Sequence, residues 1–276
     1  MEEPDDAHIL DTAIRAARSG GKVALELLGR PQDLRWKGMR DPQIGAALAV
    51  QRAILLEIER DFPDHAVLAE ESEARPSADA DPLWIVDPID GSVNYLQGLP
   101  CFSISIGFMS KGIYRVGVVY DPCRDELFRG VVRQGAWLND VPIVVEQISE
   151  AAEAFEKAVI GIDWPHEGRP RAQSLHIAQI LATHALALNV MGSPALALCY
   201  LAAGRLHAYF HLELEIWDVA AAAVILHEAG GILTDARGGS WLFSDKGYLA
   251  TNGVLHGEML RNIVPALEGL PPQLRQ

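Results

Sequence analysis

The sequence predicts an α/β protein in which a strand-rich first half is followed by a half of alternating helices and strands. Three observations carry this. Two long segments near the N-terminus place apolar residues at helical spacing. Residues 102–133 alternate apolar and polar side chains between turn signals, in the manner of an antiparallel meander. Beyond residue 148 helix-like and strand-like segments take turns. The division expected is therefore 1–148, an α+β half with an antiparallel sheet, and 149–276, an α/β half.

In chain order, residues 7–28 read as a helix despite the Gly20-Gly21 pair, and residues 46–62 as a second one stopped by Pro63-Asp64. Residues 66–69 and 83–86 are short apolar runs, read as buried strands that end on acidic residues, Glu70-Glu71 and Asp87. Residues 102–109, 114–120 and 126–133 form the meander, with Asp121-Pro122 as one turn. In the second half, 158–162, 186–191 and 208–212 are strand-like. Residues 171–183, 195–203 and 219–229 are helix-like, the last stopping at Gly230-Gly231. The tail LPPQLRQ reads as a frayed end.

Composition narrows the function classes. The 276 residues are 49% apolar and 22% charged, which excludes a disordered or fibrous chain. With 23 Lys+Arg against 37 Asp+Glu the net charge is −14, which lacks the basic footprint of a nucleic-acid binder and suits a protein that gathers cations. Cys101, Cys123 and Cys199 are odd in number and widely spaced, so a reducing cytoplasm is the expected compartment. The start MEEPDD has no signal-peptide character. Residues 172–204 hold no formal charge, but His184, Asn189 and the Gly192-Ser193-Pro194 break divide them into a buried strand and a buried helix rather than a membrane span.

Three acidic segments carry the chemistry: AEESE with Glu70 and Glu71, WIVDPIDGS with Asp87, Asp90, Gly91 and Ser92, and EIWDVAAAA with Asp218. In the second, Pro88 forces an extended turn, so Asp87 and Asp90 are aimed into one space and the Ile89 carbonyl is free to ligate. Gly91 permits an unusual backbone angle, and the amides of Gly91 and Ser92 can point at an anion if a short helix begins there. Asp218 stands where a helix begins, a place that Asp favours as a cap. Hard oxygen ligands suit Mg²⁺, and there is no His/Cys cluster to favour zinc. Taken singly, a Glu-Glu pair is a solvated loop and D-P-x-D-G a surface turn. Exposed turns, however, do not need apolar strands to deliver them. Four converging carboxylates would require protonation or a bound cation. Trp84 and Trp217 are expected to pack as core, and the histidines at 8, 65, 176, 184 and 227 to be surface or satisfied core groups.

The combination AEES, WIVDPIDGS and IWDVAAAA resembles the inositol monophosphatase family of Mg²⁺-dependent, lithium-sensitive phosphatases, across nearly the whole chain. The resemblance implies a layered α/β sandwich, like that of fructose-1,6-bisphosphatases, with two β-sheets and flanking helices. It implies hydrolysis of a small phosphorylated metabolite, an inositol monophosphate or a related sugar or polyol phosphate, by a metal-activated water, in a homodimer. Carried over residue by residue, two Mg²⁺ would be held by Glu70, Asp87, the Ile89 carbonyl, Asp90 and Asp218. Substrate would be bound by Asp90, Gly91, Ser92, Gly192, Ser193, His211 and Asp218, with Ser92, Glu70 and Asp90 serving catalysis.

Two departures bear on function. The family's D-x-V-T-x-x-D reads DPQIGAA here: Asp41 is kept, but Ile44 and Ala47 replace the Thr and the Asp that orient and deprotonate the attacking water. Losing a positioned base costs about 10²–10⁴ in rate. A third metal site would lose its support as well, and the alternative function is an impaired relative that binds a phosphorylated ligand or a protein partner. The second departure is in substrate choice: His211 aligns with the family's inositol-contacting Glu, with Glu213 and Glu215 nearby, and Asn189 stands where Arg is common.

Overall fold

The computed structural model describes residues 5–30, 33–38, 41–73, 75–77, 80–146, 155–166, 168–241 and 245–269, with the side chains of Lys37, Gly38 and Asp41 outside the description. The expected division at 148 and the tail beyond 269 lie outside the described residues.

The described elements stack in five layers. Helices α1 (Asp6–Leu27) and α2 (Gly45–Asp61) form the first. They cover a seven-stranded sheet of β3 (Ala66–Ala69), β4 (Leu83–Asp90), β5 (Ser103–Ser110), β6 (Ile113–Asp121), β7 (Glu126–Val131), β8 (Gly135–Leu138) and β9 (Val141–Ile143), in that spatial order. All its pairs are antiparallel except β3 with β4. The middle layer is α5 (Pro194–Ala202) and α6 (Ile216–Glu228). Next comes a five-stranded sheet ordered β11 (Ala187–Asn189), β10 (Val159–Ile162), β12 (Ala208–His211), β14 (Tyr248–Thr251) and β13 (Ile232–Asp235). Helices α4 (Gly168–Leu181) and α7 (His256–Glu268) close the far side. A small hairpin, β1 (Leu34–Gly38) and β2 (Asp41–Ile44), precedes α2, and α3 (Ser92–Leu96) follows β4. This is the layered two-sheet sandwich that the family resemblance implies.

Strand alternation decides what faces each layer. On β4 to β6, Trp84, Val86, Ile104, Ile106, Phe108, Val116 and Val118 pack under α1 and α2. Ile85 lies on the opposite face with Ala220 of α6, so Asp87, two residues on, is delivered to the middle layer as well. On that same face Gly107, Gly117 and Gly130 are direct cross-strand partners on three neighbouring strands. They make a trough into which α6 sinks: a Cβ on Gly117 would lie 2.0 Å from the Ala221 carbonyl oxygen, and one on Gly130 2.8 Å from Ile225 Cα. The run of small residues in VAAAAV is thus matched to a glycine row, and helix meets sheet nearly backbone to backbone.

Several expectations change in detail. The strand expected at 83–86 continues through a bulge to Asp90, because Asp87 and Asp90 still pair with Ser105 and Ser103. The strand in 186–191 is not buried: β11 is an edge strand pairing only with β10, and Leu186 and Val190 are exposed. The buried helix that follows it is α5. Trp84 is core, and Trp217, half-buried, packs against the cluster that holds Ile85 and Ala220, with the Arg75 guanidinium 4.8 Å from its ring. Strands β1, β2, β8, β9, β13 and β14 and helix α7 add to the elements expected. Among the described residues no helix is long and apolar enough to cross a membrane.

Candidate active site

The end of β4 builds one wall. The Asp87 carboxylate accepts the Ile89 N–H (2.9 Å), a local turn that folds the D-P-I-D segment back on itself. Asp90 follows, then Gly91 with φ +96°, a left-handed conformation suited to glycine. The space beside Gly91 is closed: a Cβ there would lie 2.9 Å from the Gly192 carbonyl oxygen and 3.2 Å from Ser193 Cβ. The turn from the first half and the Gly192-Ser193 turn from the second therefore meet. Ser92, half-buried, opens α3 as expected.

The opposite wall is α6. Its N-cap is Glu215, three residues earlier than the expected start, so Asp218 is the third helical residue rather than the cap. Its carboxylate accepts the Glu215 N–H at 2.8 Å in a reciprocal capping box. Ser105 ties this turn to the sheet by donating to the Trp217 carbonyl at 3.2 Å. Cap and ligand readings of Asp218 thus apply to one side chain.

The fold brings Asp87, Asp90 and Asp218 together: one carboxylate oxygen from each lies within 4.8 Å of the others. Asp87 and Asp90 are each 2% exposed, and Asp218 is partly exposed, opening the cluster to one side. Glu70 is outside that group of three but near enough to raise the Asp87 and Asp218 carboxyls, and its own N–H donates to the Val86 carbonyl at 3.1 Å. The Ile89 residue is buried beside the group. Asp90 Oδ2 receives Ser103 Oγ (3.0 Å), the Ala195 N–H (3.1 Å) and the Ser193 hydroxyl. His211 is not in the cluster. It ends β12, 5% exposed, and its Nδ1 accepts the Glu213 N–H at 3.1 Å. Burial pushes its pKa down to about 3 and keeps it neutral.

Electrostatics state what the cluster needs. Burial, then repulsion from Glu70, Asp90 and Asp218, raises the Asp87 carboxyl well above the usual range. Burial, Asp90 and Glu70 do the same to Asp218. Asp90 is pushed up to about 7 by burial, against the pull of its hydroxyl donors. Among the described residues no basic side chain pairs with any of the three. An all-oxygen, electron-rich cage without a protein counter-charge fits a hard divalent cation such as Mg²⁺.

The two positions on β2 and α2 that depart from the family pattern are different. Ile44 is fully buried and Ala47 is 3% exposed, and both belong to the apolar core that includes Ile89 and Tyr95. Two residues near the site carried no sequence signal. Arg75 reaches the carbonyls of Ala69 (2.7 Å) and Glu70 (3.4 Å) while covering Trp217, so it spans from the Glu70 segment to the Asp218 helix. Asp163, after β10, accepts the Gly192 N–H (2.9 Å) and the Tyr209 hydroxyl (3.1 Å).

Comparisons with known proteins agree with this geometry. The model of the inositol monophosphatase family matches residues 5–268. The chain is similar to the Nus factor SuhB of Pasteurella multocida, 37% identical over 94% of this chain and 97% of the relative. Solved structures superpose closely. The extragenic suppressor protein SuhB of Bartonella henselae gives a TM-score of 0.87 at 31% identity, covering 93% of this chain and 98% of that one. Inositol monophosphatase from Anabaena gives 0.82 at 33% identity, covering 96% and 97%. The matches span both walls of the acidic cleft, and the chain belongs to the inositol monophosphatase family.

Proposed function

We propose that the protein is a Mg²⁺-dependent phosphomonoesterase acting on a small phosphorylated metabolite, a polyol or sugar phosphate. One observation carries the reading: three carboxylates, two of them buried and one partly exposed, converge with no basic partner among the described residues, where they would otherwise have to bind protons. Glu70, Asp87, the Ile89 carbonyl, Asp90 and Asp218 would hold two Mg²⁺. Bound there, Mg²⁺ would neutralise phosphoryl charge and lower the pKa of an attacking water. The chain's own residues do the rest. The amides of Gly91 and Ser92 orient the phosphate. The Ser92 hydroxyl aligns the water. Gly192 and Ser193 close the pocket from the second half, and Asp90 and Asp218 accept from substrate hydroxyls. His211, neutral with Nδ1 already accepting, presents Nε2–H as a donor. The homodimer that the family resemblance implies belongs to the same reading.

The test is phosphate release from a panel of polyol, sugar and nucleotide phosphates, with Mg²⁺ and with chelator, beside Asp87→Asn as control. Equal release by the two proteins overturns the reading.

A second reading, a family member whose main work is to bind a phosphorylated ligand or a protein partner, is favoured by the burial of Ile44 and Ala47 in the apolar core. It is consistent with the name Nus factor borne by the relative from Pasteurella multocida. Wild-type turnover in the range of ordinary phosphatases would remove it.

A further inference from the structure

Asp163 is a buried carboxylate, 7% exposed, that lies outside the acid cluster and is used by none of the steps above. We propose that it is a positioning residue for the candidate metal centre: it fixes the Gly192-Ser193 turn, and through that turn the carboxylate of Asp90. The proposal rests on the reading of Asp90 as a metal ligand.

The geometry runs in two links. Asp163 directly follows β10, and its own N–H donates to the Phe210 carbonyl of β12 at 3.4 Å, which places it on the five-stranded sheet. One carboxylate oxygen accepts the Gly192 N–H at 2.9 Å, and the other accepts the Tyr209 hydroxyl at 3.1 Å, so both oxygens are committed. Tyr209 is itself buried on β12. From the far side Asn94 of α3 grips the same turn, donating to the Met191 carbonyl at 2.7 Å and to the Cys101 carbonyl at 2.7 Å. Gly192 is thus held by its N–H from one half of the molecule while the preceding carbonyl is held from the other.

The second link starts one residue on. Ser193, fully buried, donates its hydroxyl to Asp90 Oδ2, and the Ala195 N–H reaches the same oxygen at 3.1 Å. Two of the donors that orient Asp90, the Ser193 hydroxyl and the Ala195 N–H, therefore sit within three residues of the amide that Asp163 holds. A shift of the turn would move both donors together, whereas Ser103 on β5 would stay. Partners of this kind behind a ligand set its orientation, and losing one typically costs about 10–100-fold in metal affinity.

Full-length wild type, Asp163→Asn, Asp163→Ala and Tyr209→Phe are compared by amide hydrogen exchange over residues 190–196 without metal, and by calorimetric titration with Mg²⁺ alone. Asp163→Asn keeps an acceptor for the Gly192 N–H, and the Tyr209 hydroxyl can turn to donate or accept. The expected result is faster exchange in that segment and Mg²⁺ affinity lower by about 10-fold or more in Asp163→Ala, with Asp163→Asn close to wild type on both. Tyr209→Phe, which frees one of the two oxygens, should fall between them. The inference is overturned if exchange over 190–196 is unchanged in Asp163→Ala, or if Asp163→Asn is as impaired as Asp163→Ala. Should Asp163→Ala fail to fold, Tyr209→Phe decides by the same exchange readout: faster exchange supports the inference and wild-type exchange overturns it. A wild type that binds no Mg²⁺ sinks the metal reading instead, while the exchange data still judge the hold of Asp163 on the turn.

Discussion

The acidic cluster and the β2–α2 segment have had opposite treatment. Along β4, β5 and α6 every acidic group is matched to a neighbour that orients it: Ile89 N–H for Asp87, Ser103 and Ser193 for Asp90, the Glu215 N–H for Asp218. Along β2 and α2 the positions expected to carry Thr and Asp are Ile44 and Ala47, folded into the hydrophobic core with no polar atom to offer. The contrast separates two tasks that a phosphatase site combines, holding cations and aiming a water. In the proposed reading the first is built into the acidic cluster, and the second would fall to Ser92 and to whatever acidity a bound cation would lend the water.

The sharpest way to break the contrast is to damage the built wall. Asp87→Asn should lower Mg²⁺-dependent phosphate release by at least about 10²-fold, since outer partners alone are worth about 10–100-fold and Asp87 would be a ligand itself; steady-state kinetics at saturating Mg²⁺ check this. Rebuilding the β2–α2 positions is the converse. Ile44→Thr with Ala47→Asp should raise kcat by up to about 10²-fold, the lower range for a positioned base, while costing stability through polar groups placed in a packed core. An unchanged kcat would mean that the water is already well aimed. Next in size, Gly117→Ala pushes a methyl group into the Ala221 carbonyl and should destabilise by about 1–3 kcal/mol or more. Denaturant unfolding measures that, and Mg²⁺ affinity should fall with it because α6 carries Asp218.

A further effect is on pH. Asp90 is raised to about 7 in the folded, metal-free protein, against about 3.9 for an unfolded Asp. A raised carboxyl binds more protons folded than unfolded, so its stabilising contribution is complete below about 3.9 and is lost as pH rises toward 7. Asp87 and Asp218 are shifted in the same direction. Thermal melts in chelator should therefore fall from acidic to neutral pH, and saturating Mg²⁺ should flatten that fall. A chelated protein equally stable at both ends would show that the carboxylates are not crowded as described.

Much of the built wall was legible because the sequence states it locally. Apolar strands that run straight into Asp87 and Glu70, and a proline and glycine that bend D-P-I-D-G, are short-range signals. Ile44 and Ala47 were equally plain once the family resemblance gave something to compare with. Asp163 and Arg75 were not legible. Each acts on a group distant in sequence, the Gly192 N–H for one and the Trp217 ring for the other, and neither sits in a pattern with a period. The glycines at 107, 117 and 130 are scattered in the chain and become a row only when the strand register is known. Strand β11 misled for the opposite reason: an apolar run reads as interior, yet as the last strand of its sheet it has a partner on one side only. The start of α6 was placed late because Asp218 looks like a cap, whereas Glu215 fills that position and Asp218 answers it.

That glycine row also bears on how the cleft can vary. Where side chains interdigitate, an exchange of one for a smaller or larger neighbour lets a helix drift by fractions of an ångström. Beneath α6 there is hardly any such padding to swap, because the peptide planes of Gly117 and Ala221 all but touch. The spacing between the carboxylate on that helix and the pair on the strands is therefore a property of the main chain. Sequence drift elsewhere in the interior can reshape the substrate end of the cleft while this gauge stays fixed.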